Sequence, residues 1–229
     1  MSSYVYLGVI TIANPLSWSA HVTDAIAKAK RRSAYLLWVC RGDLGVRSRT
    51  AVTLWQAMVR PKLEYASEIW SNQILQGLKD EAERVQTRFL RATLGLPSRG
   101  SAGVSDIVVR AEAGCEPLTD RWAKLTLGFW RRLHNAREGR LLRCVAEFRH
   151  EECVANTGYG HTGWMPGVRD MLVGLGLRVA WTDTQVAVNV GHRAWKDWVA
   201  ELVDRASNAA RTARLAELPS AQDYAHTKH

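Results

Sequence analysis

Apolar residues run almost unbroken at the front of the chain, and from Ser19 onward they recur with a period near 3.6. Tyr4-Val-Tyr-Leu-Gly-Val-Ile-Thr-Ile12 is β-branched and aromatic, and Asn14-Pro15 closes it, which predicts one strand. It is the only strong strand signal in the first 150 residues. A lone strand cannot satisfy its own backbone, so it needs a partner late in the chain or one upstream of this sequence. From Ser19, the residues Val22, Ile26, Ala29, Ser33, Leu36 and Cys40 share one helical face, and Gly42 and Gly45 stop the helix. A second helix is predicted from Ser48 as N-cap, with Val52, Trp55, Val59, Leu63, Ala66 and Trp70 inward. Pro61 removes a backbone donor inside it and predicts a kink. A third helix runs from Ile74 through Leu78, Ala82, Val85 and Phe89 to Leu94, closed by Gly95 and Pro97.

Residues 98–116 read as a loop around a short helix, Ser105–Ala113. Leu118, Trp122, Leu125, Phe129 and Leu133 then define an amphipathic helix, and Gly139 separates it from Leu141–Phe148. A glycine-rich loop over Asn156–Gly167 precedes a helix at Val168–Leu175, an extended segment at Val179–Val190 and a last helix from about Ala194. The fold class that follows is mainly α: a helical bundle with a short N-terminal β element and a second helical region. The predicted divisions are residues 1–16, 17–100 and 101–218, with a flexible tail at 219–229.

Charge sharpens this picture. The net charge is +9, and residues 1–110 hold 15 Lys and Arg against 8 Asp and Glu, while the remainder holds 16 against 14. A positive field concentrated in the front half suits a polyphosphate partner, whose counterions it would release; a soluble basic surface is the alternative. Four widely spaced cysteines with no CxxC pattern, and no secretory leader, point to free thiols in a reducing, intracellular compartment, cytoplasm or nucleus. The longest apolar stretch falls well short of the roughly 20 residues a membrane span needs, so no membrane partner is expected.

Several segments, read in order, carry a resemblance. They are Tyr6-Leu7-Gly8-Val9, then Leu16-Ser17-Trp18-Ser19-Ala20-His21-Val22 leading to Lys28-Ala29, and the run from Val59-Arg60-Pro61-Lys62-Leu63-Glu64-Tyr65 to Trp70. Val85-Gln86-Thr87-Arg88-Phe89-Leu90-Arg91 through Leu96, and Glu112-Ala113-Gly114-Cys115-Glu116-Pro117-Leu118, complete the set. Together they cover most of residues 4–145 and resemble the region just past the catalytic palm in reverse transcriptases of non-LTR (LINE-like) retrotransposons. The resemblance implies that residues 1–16 are a remnant primer-grip strand, with Tyr6, Leu7 and Gly8 grip-like. It implies that 17–100 are a thumb-like bundle holding a primer–template duplex.

That family's paired catalytic aspartates lie upstream of the Tyr-Leu-Gly strand, and here there is no aspartate pair. The adjacent acids are Asp80-Glu81 and Glu151-Glu152, both in charged helical surroundings. Two-metal phosphoryl transfer needs clustered carboxylates, so no polymerase activity, no metal and no cofactor are expected of this chain alone. The expected function is non-catalytic, sequence-tolerant binding of RNA or an RNA–DNA duplex. One rival is a structural fragment that packs on a missing palm or self-associates through the N-terminal strand. Another is the C-terminal part of a longer RNA-directed DNA polymerase.

The candidate phosphate contacts are Lys28, Lys30, Arg31 and Arg32, with Arg41, Arg47 and Arg49 following. Arg84, Arg88 and Arg91, spaced i, i+4, i+7, form a second stripe expected to face the same groove. Ten tryptophans invite a base-stacking role. Trp55, Trp70, Trp122 and Trp130, however, lie on or beside apolar stripes and read as core, and Trp18 reads as a staple at a helix entrance. Cys144, His150, Cys153 and His161 lack the close pairs that anchor structural zinc. The chain has neither a GxSxG elbow nor a GxxxxGK loop.

Overall fold

The N-terminal pattern folds on itself. In the computed structural model, which describes residues 3–6, 9–13, 16–41, 45–97, 104–155 and 163–216, β1 (Ser3–Tyr6) pairs antiparallel with β2 (Val9–Ala13). The register runs from Ser3 opposite Ile12 to Tyr6 opposite Val9. Strand β2 then pairs with β3 (Leu16–Ser17), giving the order β1-β2-β3. The single strand expected over Tyr4–Ile12, needing a distant partner, is therefore corrected to a local meander. Two residues, Leu7 and Gly8, separate the paired Tyr6 and Val9, which is a hairpin spacing; the apolar run continues through it, so composition alone does not divide it into two strands. The buried imidazole of His21 ties this sheet to the first helix, its Nδ1 accepting from the Ile10 N–H at 3.4 Å.

Every other regular element among the described residues is a helix, and the chain is mainly α with a short N-terminal β element. Its residues form two compact units. The first comprises Met1–Ala66, Ile74–Thr119 and Ala210–His229, and the second Ser67–Gln73 and Asp120–Ala209.

In the first unit, α1 (Ser19–Arg41) buries Val22, Ala25, Ile26, Ala29, Ser33 and Leu36, the face its periodicity marks. The expected kinked helix after residue 48 is instead α2 (Ser48–Met58), α3 (Arg60–Glu64) and α4 (Ser67–Trp70). Pro61 occupies the first turn of α3, where a missing N–H costs nothing, so it starts a helix rather than bending one. Ala66, at φ 57°, takes a left-handed conformation and ends the run. Ser48 does not cap α2; its hydroxyl donates to the Thr93 carbonyl at 3.0 Å, and Arg47 holds the cap position.

Helix α5 (Gln76–Thr93) buries Ala82, Val85, Gln86, Phe89 and Leu90. Trp55, fully buried, packs on Phe89 at 6.1 Å and donates its indole N–H to the Ser33 hydroxyl at 3.1 Å. α6 (Asp106–Ala113) is capped by the Ser105 hydroxyl and closed by Gly114 at φ 62°.

The second unit holds α4, α7 (Leu118–His134) from Asp120 on, α8 (Leu141–Val154), α9 (Trp164–Gly174), α10 (Arg178–Thr182), α11 (Thr184–Asn189) and most of α12 (His192–Ala216). Its core is aromatic: Trp70 meets Trp122 edge-on at 5.0 Å, and Trp130 lies 5.9 Å from Trp195. The Trp164 indole donates to the Glu68 carbonyl at 2.7 Å, and the Asn72 amide to the Trp164 carbonyl at 2.8 Å, locking α4 and α9 together. A Cβ on Gly167 would meet the Asn72 side-chain nitrogen at 2.7 Å, so any larger residue would displace the Asn72 side chain from its bond to the Trp164 carbonyl.

The extended segment expected over Val179–Val190 is α10 and α11. Asp183 caps the second by accepting from the Gln185 N–H at 3.0 Å, and Ala180, Trp181 and Ala187 turn inward. Burial outweighs the weak strand preference of the valines. The tail at 219–229 lies outside the described residues. Among the described residues no helix is long and apolar enough to cross a membrane.

Replacing Trp55 with Ala should cost roughly 3–5 kcal/mol in urea unfolding of the full chain, whereas Trp38→Ala, at a residue 73% exposed, should shift stability by less than about 0.5 kcal/mol. His134 is buried against Trp130 and His150, and burial pushes its pKa down to about 4. Between that value and its ordinary value of 6.5 the unfolded chain binds a proton that the folded chain refuses. Stability should therefore fall as pH drops through this window, by on the order of 3 kcal/mol. His134→Phe should flatten that part of the pH–stability curve.

Candidate nucleic-acid interface

The side of α1 opposite its buried stripe displays cations and aromatics. Counting 100° per residue, Arg31, Arg32, Tyr35 and Trp38 cluster within about 80° of Lys28, while Lys30 lies about 200° away. The structure bears out this division. Lys28, Arg31, Arg32 and Tyr35, joined by Lys62 from α3, line an open groove of about 500 Å³. Lys30 instead reaches α5 and pairs with Glu81 at 2.5 Å. It serves the packing of the bundle and does not enter the groove.

Within the groove, Lys28 is paired with Asp24 one turn back at 2.7 Å, and the side chain stays more than half exposed. A pair that exposed is worth well under about 1 kcal/mol, so an incoming phosphate can compete for the ammonium. Arg31 and Arg32 are exposed and form no ion pair among the described residues. The Arg32 guanidinium carbon stands 5.5 Å from the Tyr35 ring centre, a cation–π distance. Tyr35 in turn lies 6.1 Å from Trp38, with the rings tilted at 37°.

The remaining expected contacts disperse. Arg47 and Arg49 are exposed at the start of α2, whose first turn contains no acid, so two cations reinforce an already positive helix end. Arg41 ends α1, and its side chain is not among those described. On α5, Arg84 donates to the Asp80 carbonyl at 3.1 Å and Arg88 is exposed. Arg91 is buried: its guanidinium pairs with Asp106 at 2.7 Å and also bonds the Val104 carbonyl. It fastens the entry of α6 to α5, and no phosphate reaches it without breaking that pair. None of the three α5 arginines lines the groove on α1, so the expected shared groove does not form. Tyr6 lies in β1, while Leu7 and Gly8 fall outside the described residues.

Two residues that line the groove, Tyr35 and Lys62, and Trp38, which touches Tyr35 on the same helix, are not among the candidates the sequence offers. The signal was available for two of them. Tyr35 and Trp38 fall off the Val22–Cys40 stripe and continue the Lys28–Arg31 face, so helical phase turns both outward. Lys62 could not be found this way, because a continuous helix through Pro61 was expected there.

Elsewhere, His150 bonds the Trp181 carbonyl at 2.9 Å, Cys153 is buried and Cys144 exposed, while His161 lies outside the described residues. Among the described residues no group of three or more His, Cys, Asp or Glu is placed to hold a metal ion. Set beside known proteins, the chain matches no family model, no curated protein and no solved structure.

Proposed function

We propose that this chain binds nucleic acid without catalysis and without reading sequence, as the thumb-like body of a polypeptide related to non-LTR retrotransposon reverse transcriptases. The observation that carries this reading is the groove on α1 and α3, where four cations and a tyrosine face solvent together. Cations on flexible stems contact phosphates wherever a strand lies, so they supply affinity and position without base discrimination. The excess of positive charge in the front half of the chain supports the same partner, RNA or an RNA–DNA duplex. The ordered segments from Tyr6 to Leu118 support the family reading, and the proposed partner fits an intracellular setting, cytoplasm or nucleus.

A second reading, association of chains, draws on one observation. Strand β1 stands at the end of the sheet order, with β2 on one side and no further strand on the other among the described residues. Light scattering separates the two: dimers that dissociate when a proline replaces Val5 support it, and a monomer at all concentrations excludes it.

Binding to a labelled RNA–DNA duplex at low ionic strength is the test. If all four groove cations meet phosphates, the log–log salt slope should be about −3 to −4, and affinity should fall by roughly two orders of magnitude between 50 and 200 mM salt. Arg31→Glu with Arg32→Glu should weaken binding about equally on every sequence and flatten the slope by about 2. Absence of salt-dependent binding at low ionic strength contradicts the proposal.

A further inference from the structure

We infer that Tyr35 and Trp38 form a stacking platform for an unpaired base, so that the groove takes a single strand in preference to a duplex. The inference rests on the nucleic-acid reading above and adds the form of nucleic acid that the site selects.

The first ground is the exposure of Trp38. Of the ten tryptophans it alone is exposed, at 73%, while Trp55, Trp70, Trp130 and Trp195 are at most 1% exposed. The other indoles are buried or partly buried, and the one left in water stands beside the basic groove. Tyr35, 52% exposed, is the next aromatic along the same face. The two rings sit 6.1 Å apart and lean toward each other by 37°. Among the described residues both rings stay largely in water, which leaves surface on which a planar ring can settle.

The second ground is the order of chemistry along the helix. Lys28, Arg31 with Arg32, Tyr35 and Trp38 follow each other at steps of three or four residues, a span of about 15 Å. A strand lying along this face meets cations first and aromatic planes next. The Arg32 guanidinium, 5.5 Å from the Tyr35 ring centre, bridges the two kinds of contact. Single-strand binders combine these two elements, a cationic track for the backbone and aromatic faces for the bases. A duplex keeps its bases stacked internally and offers phosphates alone, so the platform stays idle on it. A purely electrostatic site would gain nothing from an exposed indole. An acidic peptide could occupy the cations, but its carboxylates offer no flat aromatic face to match the two rings, whereas every nucleotide pairs a phosphate with a base.

The test uses the full chain, a short end-labelled oligouridylate, a blunt hairpin duplex and a polyglutamate peptide of matching charge. Oligouridylate should bind about fivefold or more tighter than the duplex and should quench tryptophan fluorescence. Trp38→Ala should weaken oligouridylate binding about tenfold and abolish most of the quenching, with the salt slope unchanged because no charge is lost. Trp38→Phe should retain most of the affinity, since a phenyl face still stacks, and circular dichroism should show both variants folded. If Arg31→Glu with Arg32→Glu abolishes binding but Trp38→Ala leaves oligouridylate affinity within about twofold, the platform is overturned while the nucleic-acid reading stands. Duplex binding as tight as single-strand binding overturns the platform as well. Polyglutamate binding that depends on Trp38 assigns the surface to an acidic peptide and overturns it. Binding of no nucleic acid at low ionic strength overturns both proposals.

Discussion

The hydrogen bond from the buried Trp55 indole to the Ser33 hydroxyl, 3.1 Å long, governs how α1 sits in the first unit. Trp55 is fully enclosed and lies against Phe89 of α5, so its N–H has no access to water. Turning α1 about its axis would orphan that donor, at about 1–3 kcal/mol, and would also lift Val22, Ile26 and Ala29 out of the core. One rotational setting therefore wins. With it fixed, the helical period decides where every other α1 side chain points. Lys30 lies beside the buried face and reaches Glu81, whereas Lys28, Arg31, Arg32, Tyr35 and Trp38 face away from the bundle. A contact in the core thus sets the composition of a surface.

The second unit solves a different problem with the same residue type. Its helices are short, and α10 and α11 have five and six residues, too few to be stable alone. Large aromatic side chains supply the buried area, with Trp130, Trp181 and Trp195 in one core cluster. Polar closures hold the segments in place: Asn72 and Trp164 exchange hydrogen bonds with backbone across α4 and α9, and Arg131 donates to the carbonyls of Ala187 and Val188 at 2.8 and 3.1 Å. The burial of Arg131 and His134 belongs to this architecture, and neither is part of the groove.

The periodic features were legible in the sequence, because period encodes which face is buried. The inward stripe of α1, the third helix, the helix at Ser105–Ala113 and the amphipathic α7 all stand where the pattern placed them. Features set by tertiary competition were not. The pairing of Tyr6 with Val9 lay hidden inside a nearly unbroken apolar run, and the valines from Val179 to Val190 favoured a strand until the Asp183 cap and the burial of Trp181 prevailed. In the site, the basic cluster was visible as composition, but its division was not. Arg91 looks like its neighbours Arg84 and Arg88 in sequence, and only its pairing with Asp106 removes it from the surface. Trp38 shows the converse: a residue type that is mostly core here turns outward at one position, because helical phase, not identity, decides exposure.

Photo-crosslinking of the full chain to a thiouridine-substituted single-stranded RNA, followed by peptide mapping, probes the central claim at residue level. Adducts concentrated on Tyr35 and Trp38 of α1, and suppressed by salt, are the expected result. Adducts confined to α5 or α12, or none at ionic strengths where binding is measurable, contradict the assignment of the α1 face as the nucleic-acid surface.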